Sequence, residues 1–251
     1  MEGPTADIER NIMFIPKDFI VLDLETTGSH PLNNEIIEIG AVKVKGGKVV
    51  ETFNQLVQPK QEIPEYVQML TGITTAMVAQ APEIKKVLPE FIKFCEDYVI
   101  VGHNVILFDY RMLKATAIKQ GYTFEKSAID TLMIARRCLS HLPSRKLGDL
   151  CHHYGIELTN AHRALDDAQA TYELLVALIR DYYQEAPEIF RPRKIGWKVP
   201  KQGHATLKQK RFLQYLLETH KIAGDPNIET LTKSEASKEI DGIIRKYGRE
   251  S

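Results

Sequence analysis

The sequence predicts an α/β protein in which a mixed sheet is flanked by helices and followed by a small C-terminal helical hairpin. Strand-like segments come first along the chain, and helices then alternate with further apolar segments, which is typical of a single α/β layer. The length of 251 residues is enough for one medium domain and a small appendage. The hydrophobic fraction of 43% is that of an ordinary globular protein.

The predicted strands are short apolar or alternating segments. They cover residues 18–25, 35–44, 49–57 and 98–104. Gly46 and Gly47 separate the second strand from the third, so these two strands are predicted to form a hairpin. The fourth strand is almost wholly apolar and is therefore expected near the centre of the sheet.

The predicted helices have apolar residues at helical spacing. In the main part of the chain they cover residues 83–97, 109–120, 130–140, 146–154 and 164–184. Near the C-terminus, Thr206 can cap one helix, and the capping box Thr232–Glu235 can begin another. These last two helices form the predicted hairpin.

These elements divide the chain into four predicted parts. The parts are an N-terminal extension (1–15), a main domain (16–184), a basic proline-containing linker (185–203) and a basic helical hairpin (204–251). The linker is predicted from Pro187, Pro192 and Pro200, because proline interrupts regular structure.

Charge is distributed unevenly, although the formal net charge is zero. Residues 191–251 contain 14 Lys and Arg residues and 7 Asp and Glu residues, whereas residues 1–190 contain 19 and 26. A basic tail on an acidic body indicates contact with a polyanion. A solvated helical tail is the alternative interpretation.

Cysteine usage and hydropathy exclude several classes of protein. Cys95, Cys138 and Cys151 are scattered, so the sequence signals neither a disulfide framework nor a zinc site. No apolar run is long enough to span a bilayer, and the N-terminus lacks the pattern of a signal peptide. We therefore expect a cytoplasmic location and no membrane partner.

The most informative segment is Phe19–Gly28, a predicted buried strand that ends in two acids. Asp23 and Glu25 are two positions apart, so their side chains point to the same face of the strand. Neighbouring carboxylates repel each other, and a divalent cation such as Mg²⁺ commonly compensates. A strand end that exposes two solvated acids is the alternative.

Two later segments add acids and histidines. In Gly102–Asp109, a strand ends near His103 and the acid begins a helix, where an aspartate is also a common cap. In Asn160–Ala168, His162 precedes two aspartates in the first turns of a helix. A surface histidine beside a capping pair is the simpler interpretation of this second segment taken alone.

Together these motifs resemble the DEDDh (DnaQ-like) family of 3′–5′ exonucleases, which includes the proofreading epsilon subunit of bacterial DNA polymerase III. The matching residues are Asp23-Leu24-Glu25 for the DxE motif, Asp109 for the second motif, and His162, Ala164 and Asp167 for H-x-A-x-x-D. The motifs occur in the family order, and the resemblance spans roughly residues 17–180.

Two positions depart from the simplest match. This chain has one more residue between Asn104 and Phe108 than is common in the family, and Asp109 is retained as the second-motif acid. The third motif is followed by adjacent aspartates, and spacing from His162 favours Asp167 over Asp166.

The resemblance implies a ribonuclease H-like fold and an exonuclease that releases nucleoside 5′-monophosphates from DNA 3′ ends. It implies that Asp23, Glu25, Asp109 and Asp167 hold two divalent cations, Mg²⁺ or Mn²⁺, and that His162 acts as the general base. Trimming of RNA ends or short oligoribonucleotides is the alternative activity. A catalytically inactive nucleic-acid-binding module is a further alternative.

The resemblance also implies a partner and its contacts. The partner is a nucleic acid with a free 3′ end, preferably single-stranded, and its terminal nucleotide would contact Thr26, Leu70, Gly72 and Asn104. The charge of the tail predicts a nucleic-acid grip without sequence preference. The candidate residues are Lys208, Lys210, Arg211, Arg245 and Lys246. The competing interpretation of the hairpin is a docking module for a polymerase or repair protein.

Overall fold

The structure, a computed structural model, describes residues 14–200, 203–222 and 228–248. The chain divides into two compact units, Met1–Trp197 and Lys198–Ser251. Residues 1–13 of the predicted N-terminal extension lie outside the described residues.

Six strands form one mixed sheet in the first unit. They are β1 Phe19–Thr26, β2 Ile36–Lys45, β3 Lys48–Leu56, β4 Val99–Gly102, β5 Ser127–Asp130 and β6 Arg193–Lys194. Their order across the sheet is β3-β2-β1-β4-β5-β6. β1 pairs antiparallel with β2 and parallel with β4, so it lies inside the sheet. The hairpin of β2 and β3 is antiparallel, β5 runs parallel to β4, and β6 runs antiparallel to β5.

Within the described residues there are nine α-helices and one 3₁₀-helix, Pro187–Phe190. The α-helices are α1 Glu65–Thr71, α2 Thr75–Val78, α3 Ile84–Cys95, α4 Asp109–Lys119, α5 Thr131–Cys138, α6 Leu147–Tyr154, α7 Ala164–Tyr182, α8 Leu207–Thr219 and α9 Lys233–Tyr247. The sequence pattern does not predict α1, α2, β5 or β6, because each is too short to show a clear period. None of the helices in the described ranges combines the length and apolar character that crossing a membrane requires.

Side chains of β1 alternate between two cores on opposite faces of the sheet. Leu22 packs in a core formed with α3 and α4, whereas Val21 packs in a core formed with α5, α6 and α7. Because alternate residues share a face, Asp23 and Glu25 lie on the face of Val21. The helix that carries Asp167 therefore covers the same face as the acid pair.

Gly40 allows α7 to begin directly on the backbone of β2. This glycine is the register partner of Asp23 across the β1–β2 pair. A Cβ atom at this position would lie 2.1 Å from both the carbonyl carbon of Ala164 and the nitrogen of Leu165. Since no side chain fits such a gap, only glycine permits the approach that sets the first turn of α7 over the acid pair.

The structure differs from the prediction of a linker over residues 185–203. Pro187–Phe190 forms a 3₁₀-helix, and Arg193–Lys194 completes the sheet as an edge strand. Phe190 is fully buried and packs on Tyr183 with ring centroids 5.6 Å apart. The prediction is wrong for this part because one buried aromatic ring and one strand pairing anchor a segment whose prolines alone indicate a loop.

The start of the described chain also belongs to the first unit, although the sequence assigns it to an extension. The backbone N–H of Phe14 donates a hydrogen bond to the hydroxyl of Tyr183 at 3.0 Å. Ile15 is buried in the core beneath α7. The folded unit therefore begins before the predicted boundary at residue 16.

The second unit confirms the predicted helical hairpin. Thr206 and Thr232 each cap a helix through a complete capping box, as the sequence indicates for Thr232. Leu213, Leu216 and Ile240 are among the residues that form a small core between α8 and α9.

We expect Gly40→Ala to lower the free energy of unfolding by about 1–3 kcal/mol, because the added methyl group must displace the first turn of α7. Urea denaturation of the purified protein measures this change. Gly148→Ala is the matched control, since Gly148 is an exposed residue of α6 and no atom lies within 4 Å of the place that its added methyl group would take. The control should be neutral or stabilising by up to about 1 kcal/mol. Equal stability of the two variants would contradict the close approach.

Candidate active site

Four acids meet where β1 ends and where α4 and α7 begin. Asp23 and Glu25 belong to β1, Asp109 is the first residue of α4, and Asp167 lies in the first turn of α7. Besides burial, the charges of Asp109, Glu25 and Asp167 raise the pKa of Asp23. The structure therefore brings together the four acids that the sequence motifs identify.

Burial is the main reason why these carboxyl groups hold their protons more tightly than usual. It raises the pKa of Glu25 to about 8, that of Asp109 to about 8 and that of Asp167 to about 6. The pKa of Asp23 is also raised well above its usual value. Repulsion adds to burial, since Asp167 is the next largest cause at Glu25.

His162 completes the cluster on its solvent side. Potential ligand atoms of His162, Glu25 and Asp167 all lie within 4.8 Å of one another. The backbone N–H of His162 donates a hydrogen bond to Oδ2 of Asp167 at 3.2 Å. His162 has φ +66°, an uncommon left-handed conformation for a residue other than glycine. Its exposed side chain leaves the imidazole accessible from the solvent.

The donor set fits a divalent cation. Among the described residues, Oδ1 of Asp109 and Oδ1 of Asp167 are buried without a hydrogen-bond partner. A buried polar atom without a partner costs free energy, so such atoms are rare in folded proteins. A cation would satisfy these oxygens and offset the repulsion between the acids. Carboxylate oxygens are the ligands that hard cations such as Mg²⁺ and Mn²⁺ prefer.

Glu38 on β2 fixes the start of α7. Its side chain is 1% exposed and accepts hydrogen bonds from Arg163, of which the shortest is 2.7 Å. Its Oε2 also accepts the backbone N–H of Ala164 at 3.0 Å, which satisfies a free donor at the beginning of α7. Sequence patterns alone do not identify this residue as part of the site. The available signal is an acid in the middle of an apolar strand, because a buried charge requires a partner.

Asp130 fixes the loop that leads from β4 to Asp109. Its carboxylate accepts the backbone N–H of Asn104 at 3.1 Å and that of Ile106 at 3.2 Å. It also accepts two backbone N–H groups at the start of α5. Asn104 has φ +71°, so the loop turns sharply where Asp130 holds it. The sequence signal for this role is an aspartate immediately before a helix.

Thr26 and Asn104 lie beside the acid cluster. Thr26 is the last residue of β1, and its hydroxyl donates a hydrogen bond to the carbonyl oxygen of Gly28 at 2.8 Å. Asn104 lines one cavity together with His162 and Asp167. The hydroxyl oxygen of Thr26 can still accept a hydrogen bond from a ligand.

Leu70 and Gly72 lie at the C-terminal end of α1. Gly72 ends the helix with φ +69°, and Leu70 is 55% exposed. Tyr66 and Met69, which the motifs do not identify, are also exposed on this helix. Tyr66, Met69 and Leu70 together form an exposed apolar surface on α1. Contiguous apolar surface of this kind commonly marks a binding site.

The basic residues of the tail are not equivalent. Lys208, Arg211, Arg245 and Lys246 are exposed. In contrast, Nζ of Lys210 forms an ion pair with Oε2 of Glu229 at 2.6 Å and also contacts the carbonyl oxygen of Glu229. Lys210 is therefore less available to a phosphate than the four exposed residues, and its place in the nucleic-acid grip stays a prediction.

Known proteins resemble this chain in sequence. The exonuclease family model (RNase T) matches residues 20–175. A DNA polymerase III of the PolC type from Caldanaerobacter subterraneus subsp. tengcongensis is 37% identical over 90% of this chain. The DNA polymerase III subunit epsilon of Aquifex aeolicus is 38% identical over 66% of this chain. The chain spans 17% of the length of the PolC-type relative and 82% of the epsilon relative.

A solved structure agrees with these matches. Exonuclease X in complex with 5′ overhanging duplex DNA superposes with a TM-score of 0.54 at 28% sequence identity. The match covers 68% of this chain and 97% of that chain. The predicted ribonuclease H-like fold, a mixed sheet flanked by helices, is confirmed.

The raised pKa values predict how stability depends on pH when cations are removed. Glu25 and Asp109 titrate at about 8 in the folded protein and at about 4 when unfolded. The folded state therefore binds more protons between these values, so its stability falls as pH rises from about 4 to about 8. In EDTA, the melting temperature should be several degrees lower at about pH 8 than at about pH 5.5, and Mn²⁺ or Mg²⁺ should restore it.

Asp23→Asn is the control for this measurement, because the substitution removes one of the repelling charges. We expect a flatter pH profile in EDTA and weaker stabilisation by the cation. Differential scanning fluorimetry of both proteins gives the comparison. A wild-type profile that matches that of the variant would show that the cluster does not titrate as described.

Proposed function

Because the chain belongs to this exonuclease family, we propose that it is a metal-dependent 3′–5′ exonuclease that releases nucleoside 5′-monophosphates from DNA 3′ ends. The observation that carries the proposal is the cluster of four acids with His162 at its solvent side. Cation binding would explain why acids that repel one another lie together in a buried site. It would also explain why two of them have a buried oxygen without a hydrogen-bond partner. The enzyme would act in proofreading or repair.

DNA is the substrate that the relatives favour. Both relatives described above are DNA polymerase III proteins, and exonuclease X was solved with duplex DNA. RNA remains the competing substrate, because the same cluster can cleave either phosphodiester backbone and discrimination depends on contacts with the 2′-hydroxyl. A cytoplasmic location, as for replication proteins generally, stays a prediction.

The four acids would hold two divalent cations. Asp23, Glu25, Asp109 and Asp167 supply the carboxylate oxygens, and their negative charges balance the charges of such a pair. When bound, the cations lower the pKa of an attacking water and stabilise the departing 3′ oxygen. Glu38 and Asp130 would act indirectly, because Glu38 holds the start of α7 and Asp130 holds the start of the loop before α4.

His162 would accept the proton of the attacking water. An imidazole can accept a proton near neutral pH, which suits a general base. The hydrogen bond from its backbone N–H to Asp167 holds the backbone of His162 beside that acid. Because the side chain is exposed, the proton can pass from the imidazole to solvent.

The 3′-terminal nucleotide would lie against the side of the cluster that β2 and α1 form. Thr26 would accept a hydrogen bond from the 3′-hydroxyl, and Asn104 would position the backbone beside the scissile phosphate. Leu70 and Gly72 would shape the pocket for the last base, with Tyr66 extending the apolar surface. An unpaired end fits best, because the base must leave its stack to enter.

The second unit would provide a nucleic-acid grip. The exposed residues Lys208, Arg211, Arg245 and Lys246 can each contact a phosphate without reading sequence. Docking to a polymerase or repair protein is the competing role of the hairpin, and polymerase III relatives make such a partner reasonable.

Exonuclease activity is tested with 5′-labelled single-stranded DNA, mismatched duplex and RNA in the presence of Mg²⁺ or Mn²⁺. Wild type should shorten DNA from the 3′ end, and EDTA should stop the reaction. Asp23→Asn and His162→Ala should each lower kcat by at least about 100-fold. Gel analysis gives the ladder of products, and chromatography identifies the released monophosphate.

Asp166→Asn is the matched control for these variants. Asp166 adjoins Asp167 on α7, but its Oδ2 accepts a hydrogen bond from Asn160 at 2.8 Å. We expect the control to keep activity within about threefold of wild type. Faster degradation of RNA would reassign the substrate. Binding of nucleic acid with no shortening under any condition would identify an inactive binding module instead.

The grip is tested by replacing Lys208, Arg211, Arg245 and Lys246 with glutamine in the full chain. If these residues bind phosphates, the slope of log affinity against log salt should fall by about 0.7 for each phosphate that is no longer neutralised. Fluorescence anisotropy with labelled single-stranded DNA measures the slope. Lys48→Gln and Lys86→Gln, on exposed positions of the first unit, provide the control. An unchanged slope would favour the docking role.

A further inference from the structure

A second cavity of the first unit is lined by arginines that the proposed chemistry does not use. It has a volume of about 540 Å³ and lies along β5, α5 and the segment that leads into β6. Arg136, Arg137, Arg191 and Arg193 contribute to its walls. All four are exposed. We call this cavity the arginine groove.

The charge of the arginine groove is not neutralised by the part of the chain that the structure describes. None of the four arginines forms an ion pair with another described residue, although Arg191 lies over the ring of Phe14 at 4.4 Å. Glu188 is an acid on the same wall. Asp130 also lines the cavity, but its carboxylate is buried and accepts backbone N–H groups. Residues 1–190 are acidic overall, so this concentration of positive charge is local.

The arginine groove shares one wall residue, Arg136, with a cavity that borders the catalytic cluster. Arg136 also lines a neighbouring cavity of about 800 Å³, whose walls include Asn104, His162 and Asp167. Arg145 and Lys146 belong to the same neighbouring cavity. Basic side chains therefore line both the cavity beside the acids and the cavity that borders β6.

His103 holds the loop of Arg145 against the sheet. Its two ring nitrogens lie 2.9 Å from the hydroxyl oxygen of Thr131 and 2.9 Å from the carbonyl oxygen of Arg145. Burial lowers the pKa of His103, which favours a neutral ring that can bridge a donor and an acceptor. The Nε atom of Arg145 is buried without a described partner. The loop that carries Arg145 is thus anchored at the wall of the neighbouring cavity, and its Nε donor is not satisfied by a described residue.

Sheet order determines which part of a substrate can reach the arginine groove. Helix α1, which carries the exposed apolar surface, packs through its buried residue Val67 against Ile37 of β2. The arginine groove, in contrast, borders β5 and β6. β1, which carries Asp23 and Glu25, lies between β2 and β4 in the sheet. A nucleic-acid strand whose 3′ end lies on the α1 side must therefore pass the acids and continue toward β5.

We propose that the arginine groove binds the single-stranded nucleic acid upstream of the scissile phosphate, with the guanidinium groups on successive phosphates. This inference rests on the proposed exonuclease function and assigns the path of its substrate. A guanidinium pairs with phosphate oxygens through two parallel hydrogen bonds, which suits arginine better than lysine. Met133, which is 38% exposed, and the half-buried Ile106 and Ile189 give the groove apolar surface for bases. The shared position of Arg136 between this groove and the cavity beside the cluster favours nucleic acid over an acidic peptide as the occupant.

The test compares a long and a minimal substrate of the full-length protein. The long substrate is single-stranded DNA of about 12 nucleotides, a length within the range that single-strand sites cover. The minimal substrate is the p-nitrophenyl ester of thymidine 5′-monophosphate, which has no upstream nucleotide. Arg137→Gln/Arg191→Gln, which changes two exposed arginines that line only the arginine groove, should raise KM for the long substrate by about tenfold per arginine. It should leave kcat/KM for the ester within about twofold of wild type.

Lys86→Gln/Lys93→Gln is the matched control, because it removes two exposed charges from α3 on the opposite face of the sheet. The control should change neither substrate. The salt slope of long-substrate binding should fall by about 0.7 per arginine in the groove variant only. An unchanged KM and slope, or equal losses on both substrates, would overturn the proposal.

Two further outcomes separate the arginine groove from the function on which it rests. If wild type hydrolyses neither substrate, the exonuclease proposal fails, and anisotropy of the labelled oligonucleotide with Ca²⁺ still tests the groove directly. Equal oligonucleotide affinity of wild type and groove variant would then reject it. Loss of binding to a polyglutamate peptide, with oligonucleotide affinity kept, would also reject it and assign the surface to an acidic protein partner.

Discussion

Repulsion among four buried carboxyl groups is the constraint around which the first unit is arranged. Without such support, these groups would separate or turn toward water, so each must belong to an element that other contacts hold in place. β1 holds Asp23 and Glu25 because both residues pair with β2, and the start of the same strand also pairs with β4. The start of α7 is held by the contacts of Glu38 and by the missing side chain of Gly40. The rigidity of these anchors maintains an unfavourable arrangement that the proposed cations would relieve.

The same constraint explains the distribution of charge around the proposed substrate path. An acidic cluster repels a polyanion as it approaches the protein. Cations bound within the cluster would offset this charge only locally. Positive side chains placed beside the cluster, rather than in it, attract the backbone without competing for the cations. The arginine groove meets that requirement within the first unit.

Local patterns predict much of this protein, and tertiary contacts account for what they miss. The spacing of Asp23 and Glu25 places both on one face because strand geometry has a period of two. The capping box at Thr232 depends on residues three apart, so it too is visible in the sequence. Gly40 and Glu38 act only against a helix that begins more than 120 residues later, which no local window contains. The segment after α7 is misassigned for the same reason, since the burial of Phe190 depends on distant partners.

The position of β6 has a consequence for how domain boundaries are drawn in such proteins. The match to the family model ends at residue 175, before the strand that forms the edge of the sheet. A chain cut near that point would expose the edge of β5 that pairs with β6, and exposed strand edges promote association between molecules. It would also remove Arg191 and Arg193 together with the hairpin. Weak nucleic-acid binding by such a fragment would then be attributed to loss of the hairpin, although the fragment also lacks β6 and these two arginines.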